Sequence, residues 1–186
     1  MTMEERRAEE YDRLNPDLLN LLGHATSSWS SLEFAINDVI WKLADTPPAL
    51  GACLTTQIYT IDGRLRALLS LLKLYRFSER TISAVNKYVE AIRGPSELRN
   101  RLIHDRWGIQ RPSGKTAKMV ITANKKLRFE EQIVDLADVR RDVDRIIDCL
   151  HQFHDLKEVI LAELPTLPEI PRTELHPINL VPRPTT

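Results

Sequence analysis

The chain is short of several things, and each shortage narrows what it can be. Its 186 residues include two cysteines, Cys53 and Cys149. They form no metal-binding spacing and no framework of bridges, which argues against a zinc module or a disulfide-stapled secreted fold. Both stand among apolar neighbours, so the expectation is two buried free thiols in a reducing compartment. Charge of one sign is lacking too: 26 Lys and Arg face 26 Asp and Glu. A net charge of zero supplies no global field toward nucleic acid or an anionic membrane. Nothing approaches the ~18 unbroken apolar residues of a membrane span. The opening Met1-Thr2-Met3-Glu4-Glu5-Arg6-Arg7 has no apolar run of the signal-peptide kind. These absences point to one soluble, cytoplasmic domain with no membrane partner.

What the sequence does have is helical periodicity. Residues 1–14 are a charged N-terminus, flexible or loosely helical. Asn15-Pro16-Asp17 then reads as a helix start, with Asn as cap, Pro in the first turn and Asp at the positive end of the dipole. Leu18, Leu19, Leu21 and Leu22 give it an apolar face, and Gly23 is a candidate interruption. Trp29, Leu32, Ile36, Val39, Ile40 and Leu43 recur at three- and four-residue spacing, a single stripe. Glu33 and Asn37 lie one turn apart beside it, as a solvated flank or as polar groups turned toward a site. Asp45-Thr46-Pro47-Pro48 ends this helix.

A third helix is expected from Leu54 to Tyr75, with Arg64 and Arg66 flanking its apolar face. A fourth starts at Ser78-Glu79-Arg80. Gly94-Pro95 either kinks it or restarts it, and Leu98, Leu102 and Ile103 anchor the helical turns beyond that point. After Gly108 the pattern turns from helical to alternating. Lys118 to Thr122 reads as a strand, with a return strand near Leu127 and Phe129. From Arg106 to Arg128 stand seven basic residues and no acidic one. Such a basic hairpin is a charge-protected edge or a surface that faces phosphate. A last helix spans Leu136 to Leu164. Residues 165–186 hold six of the eleven prolines, an extended tail. The expected fold is all-α: a bundle of four to five helices over residues 15–164, with a β-hairpin at 106–130 before the last helix.

One stretch carries chemistry. Arg99-Asn100-Arg101-Leu102-Ile103-His104 joins a side-chain type that titrates near neutrality to permanent cations and an amide. These are parts for cleaving a phosphodiester without a metal or other cofactor. An imidazole takes the proton of a ribose 2′-hydroxyl, and guanidinium donors stabilise charge on the phosphate. Asn100 and His104 are four apart and share a helix face. Arg99 stands five before His104, about 140° round an ideal helix. Arg101, three before it, is nearer in angle and a rival for the same role. The bland alternative is an Arg and a His that merely finish a helix end. His151-x2-His154-Asp155 suggests a metal pair, but no third ligand has fitting spacing, and Phe153 and Leu156 beside it favour a helix flank.

The Arg-Asn-x3-His run, late in a helical domain and preceded by a helix of the Trp-x2-Leu-Glu type, resembles the HEPN family over residues 16–164. The resemblance implies a helical bundle that dimerises, so that motifs from two chains form one cleft. Many members are metal-independent endoribonucleases in toxin–antitoxin, antiphage or RNA-processing roles. Carried onto this chain, it makes Arg99 and His104 catalytic, with Asn100 in support. Arg101, Arg106, Lys118, Lys125 and Lys126 are then the candidate RNA contacts. The implied partners are a second copy, an RNA substrate and an antitoxin or other protein. One branch carries Tyr two residues after the His; here Arg106 holds that place, which puts control through that Tyr in doubt. The alternative within the resemblance is a non-catalytic module that binds a nucleotide, RNA or a protein, with the proline-rich tail as contact strand.

Overall fold

The computed structural model describes residues 14–110, 113–122 and 127–164. The expectations for residues 1–13, for Lys125 and Lys126, and for the tail at 165–186 lie outside the described residues. The first helix, α1, runs without a break from Pro16 to Leu43. Asn15 caps it, its side-chain oxygen accepting from the Asp17 amide at 2.8 Å. Gly23 does not interrupt it: the position is exposed, so only the ~1 kcal/mol propensity penalty of glycine applies. Nor do Pro47 and Pro48 end it. Asp45 does, with φ 47°, while the Thr46 amide donates back to Trp41 O at 3.0 Å.

The expected helix from Leu54 to Tyr75 is two helices. Pro48 opens a short α2, Pro48–Thr55, where a proline in the first turn loses no hydrogen bond. Thr60, extended in backbone, then caps α3, Ile61–Leu74, by accepting from the Gly63 amide at 3.0 Å. The α4 helix is Glu79–Ala91 and α5 is Arg93–His104, so the chain restarts after Ile92 with Pro95 in the first turn. The last helix, α6, spans Leu136–Glu163. Five helices thus make the bundle, with α2 in a connection.

Between α5 and α6 lies more than a hairpin. Strands β1 (Arg106–Gln110), β2 (Lys115–Thr122) and β3 (Arg128–Ile133) form an antiparallel sheet in the order β1-β2-β3. The return strand runs on until Ile133 pairs with Ala117. It thereby takes in Glu130 and Glu131, and the acid-free window does not describe the whole sheet. The Trp107 indole N–H donates to Leu102 O at 2.9 Å, which fastens the sheet to the end of α5.

The core is the expected stripe of α1 set against α3, α5 and α6, with α4 packed on α3 and α6. Leu32, Ile36, Leu65, Leu68, Val85, Ile146, Phe153 and Ile160 are fully buried. Cys149 is buried as expected, whereas Cys53 is exposed, because α2 turns that face outward. Two polar clamps tie the helices. Asp38 of α1 accepts from Lys157 of α6 at 2.7 Å and from Lys42 at 3.0 Å. Glu163 of α6 accepts from the Ser78 amide at 2.5 Å and the Thr81 hydroxyl at 2.6 Å, capping the start of α4. In both carboxyls burial pushes the pKa up, and hydrogen bonds from these partners outweigh it, holding the pKa below the usual value. Such groups stabilise the fold above their unfolded pKa, and that stabilisation fades as pH falls through the folded value. The urea midpoint is therefore expected to drop as pH falls below about 4.5, and Glu163→Gln to flatten part of the drop. An unchanged slope in the variant would remove Glu163 from the account.

Trp41 holds α2. Its indole N–H donates to Thr55 Oγ1 at 3.2 Å, and a Cβ on Gly51 would sit 2.5 Å from the ring. Gly51→Ala is expected to cost about 1–3 kcal/mol in urea unfolding, because ring and helix must move apart. A fully stable variant would mean that this contact is slack.

Candidate functional site

The α5 helix decides where the motif points. Leu102 is buried, and Leu98 and Ile103 are half-buried beside it. The opposite face is exposed and carries Asn100, Arg101 and His104. Arg99 lies between the two faces, half-buried. Its guanidinium carbon stands 5.7 Å from the ring centre of Trp29 on α1, within cation–π range. Its Nη1 donates to Asn100 Oδ1 at 3.0 Å. The guanidinium is thus held from two sides, by an aromatic face and by the next residue's amide.

The Trp29 shelf is itself fixed. Its indole N–H donates to Glu33 Oε1 at 3.0 Å, one turn along α1. The other carboxylate oxygen, Oε2, lies 2.9 Å from Arg64 Nη1 on α3. A polar chain therefore runs from α5 through α1 to α3: Arg99, Trp29, Glu33, Arg64. The Arg64 side chain is 12% exposed and that of Glu33 31%. Arg64 Nη1 meets Glu33 as an ion pair without hydrogen-bond alignment, and Arg64 Nε has no acceptor among the described residues. Arg99 Nε and Asn37 Oδ1 are likewise buried with no partner among them. Glu33 is not a solvated flank; it sits between a core indole and a nearly buried cation.

The other expected site residues are spread out. His104, the last residue of α5, is exposed, and its imidazole makes no hydrogen bond among the described residues. Arg99 meets Trp29 on α1 and Asn100 beside it, while His104 and Arg101 are exposed, and no hydrogen bond joins Arg99 to His104 among the described residues. Arg106 starts β1 opposite Met119, whereas Lys118 stands opposite Trp107. Adjacent pairs in a ladder point to opposite faces, so Arg106 and Lys118 do not share one basic surface. Lys125 and Lys126 lie outside the described residues. His151 and His154 are exposed on α6, and the described residues hold no group of three or more metal-ligating side chains.

Sequence reasoning missed Trp29 as the support of Arg99, since the two stand seventy positions apart. The Trp29–Glu33 spacing of four is a usable signal, since the indole donates to the carboxylate one turn on, whereas Asn37, one turn further, makes no bond to Glu33 among the described residues. The ion pair makes a definite prediction. Glu33→Gln leaves Arg64 with less than a full counter-charge and is expected to cost about 1–3 kcal/mol in urea unfolding. Adding Arg64→Met is expected to recover most of that loss, because the orphaned cation goes too. Simple additivity of the two substitutions would show no coupling.

Compared with protein-family models, with curated proteins and with solved structures, the chain finds no match in any of the three.

Proposed function

We propose that the chain is a metal-independent endoribonuclease that acts as a homodimer, Arg99 of one protomer and His104 of the other completing a cleft. The observation that carries this reading is the Arg99 guanidinium, braced by Trp29 and Asn100 one turn from an exposed, unengaged His104. A cation fixed in advance stabilises a developing phosphate charge with little reorganisation. The direction of the two side chains supports a composite cleft, since a second copy supplies what the first turns away.

In the proposed reaction His104 takes the proton of a 2′-hydroxyl. The freed oxygen attacks phosphorus, and Arg99 meets the charge that gathers on the non-bridging oxygens. The bond to the 5′-oxygen breaks, that oxygen takes a proton from solvent, and the His104 imidazolium gives its proton back to solvent. The products are a 2′,3′-cyclic phosphate and a 5′-hydroxyl. Arg101, on the exposed face with His104, is the nearer cation for the substrate backbone. A role in toxin–antitoxin or antiphage defence, with an antitoxin as partner, belongs to the same proposal.

The second reading is a binding module for a protein partner. It is favoured by Phe34, Leu50, Leu54 and Tyr59, all exposed, on α1, on α2 and in the loop after it.

The test is cleavage of total RNA with EDTA present. Wild type is expected to cut and leave cyclic phosphate ends. His104→Ala and Arg99→Ala are each expected to lose about 10²–10⁴-fold. Mixed after unfolding and refolding, the two variants pair at random, so about a quarter of wild-type activity is expected to return through mixed dimers. No restoration would place Arg99 and His104 in one chain's site. No cleavage by folded, dimeric wild type would favour the binding module.

A further inference from the structure

The three-stranded sheet has two unlike faces. Residues paired across strands share a face, and successive pairs alternate between the two. One face carries the pairs Ile121–Phe129 and Ala117–Ile133, with Met119 between them. The other carries Trp107 and Val120 among polar residues, Thr116, Lys118, Glu130 and Gln132. An antiparallel sheet ordinarily turns its apolar face to a core and its polar face to water. Here the sheet is fastened to the bundle through Trp107, which belongs to the more polar face. The apolar face is left open: Phe129 is 65% exposed, Ile121 58% and Ile133 47%.

We propose that this face is the surface through which two copies of the chain pair, sheet against sheet, beside the ends of their α5 helices. Position, charge and area select that occupant. β1 leaves α5 at Arg106, opposite Met119 on β2, so antiparallel pairing puts Ile121 about 7 Å beyond the start of β1. The Ile121–Phe129 pair therefore stands at the end of the sheet that α5 enters, where His104 precedes Arg106 by two residues. The middle row, Arg106–Met119–Glu131, holds one charge of each sign. A two-fold axis sets a face against itself, and a row with both signs does not repel its own copy. A surface for RNA would carry cations in that row and no carboxylate.

Three strands ~4.8 Å apart, the middle one of eight residues, offer roughly 400 Å² per copy. That is about half of the ~800 Å² each partner of a stable interface buries. The contact must therefore spread to the adjoining surface. At the Ile121–Phe129 end that surface is the last turn of α5, where Arg101 and His104 are exposed. Pairing through the sheet would in this way draw the two motifs toward each other. The inference rests on the homodimer of the proposed function and not on its chemistry.

The test is the solution mass of the full chain, by light scattering across micromolar concentrations. Wild type is expected to be a dimer. Phe129→Asp and Ile121→Asp change exposed strand positions, and each is expected to weaken the dimer at least ~30-fold while helical circular dichroism is unchanged. Val159→Asp, at a half-exposed position near the far end of α6, is expected to leave the dimer intact. A dimer that neither sheet variant weakens, or that Val159→Asp weakens equally, would overturn the proposal. A monomeric wild type would overturn it together with the homodimer; if Phe129→Asp then weakened RNA binding, the face would belong to RNA. A dimer that Phe129→Asp splits but that cuts no RNA keeps the interface and ends the ribonuclease reading. An RNA-cutting dimer that neither sheet variant splits does the reverse.

Discussion

The contact between α1 and α6 is the constraint on which the rest of the structure depends. Each helix has 28 residues and so runs about 42 Å. Asp38 and Lys157 pair less than two turns from the C-terminus of each, which brings those two ends to the same side of the bundle. Side chains such as Leu32, Ile36, Ile146, Phe153 and Ile160 are withdrawn from water here, each at about 1.5–3 kcal/mol. The shorter helices depend on that pair. None of α3, α4 or α5 exceeds 14 residues, a length at which an isolated helix is marginal. Their stability comes from the surface that α1 and α6 offer them.

That dependence carries into the candidate site through Trp29. One indole closes the core, presents a face to Arg99 and donates to Glu33, which in turn holds Arg64. A free arginine side chain loses about 2 kcal/mol of rotamer entropy when it is fixed. Here the packing of the bundle has fixed it already, before any ligand arrives. A disturbance anywhere in the row from α3 to α5 would therefore reach the guanidinium.

Much of this was legible in the sequence, for a physical reason. Burial on one side of a helix imposes a three-and-four spacing, so the stripe from Trp29 to Leu43 and the inner face of α6 stand out. Breaks were harder to place. Gly23 reads as an interruption and is none, because an exposed glycine costs α1 only a propensity penalty. Pro47 and Pro48 read as a stop; the stop is Asp45, and Pro48 begins α2. The return strand near Leu127 and Phe129 is there as β3 and runs on past Glu130 and Glu131 to Ile133, while the strand the pattern does not announce is β1, whose five residues, Arg106–Gln110, are defined by the ladder with β2. The run Arg99 to His104 was legible as composition, whereas its division into an inward Arg99 and an outward His104 was not. That division is set by where Trp29 and Leu102 lie, and tertiary contacts leave no trace in local spacing.

The sheet, which looks like an appendage, closes this logic at the other end of α5. A helix of 12 residues with a single fully buried side chain, Leu102, has little to hold its last turn in place. The Trp107 indole supplies it, packing against the core and donating to the carbonyl of Leu102. That carbonyl belongs to the final turn, where no later amide of the helix can reach it. His104 stands two residues beyond Leu102, so its backbone is held by the same contact. Arg99 thus meets an indole on α1, and the Leu102 carbonyl, two residues before His104, accepts from an indole on β1. Neither indole makes one side chain face the other. The two ends of the run are therefore tied to the fold by different elements, Arg99 to α1 and the last turn of α5 to β1.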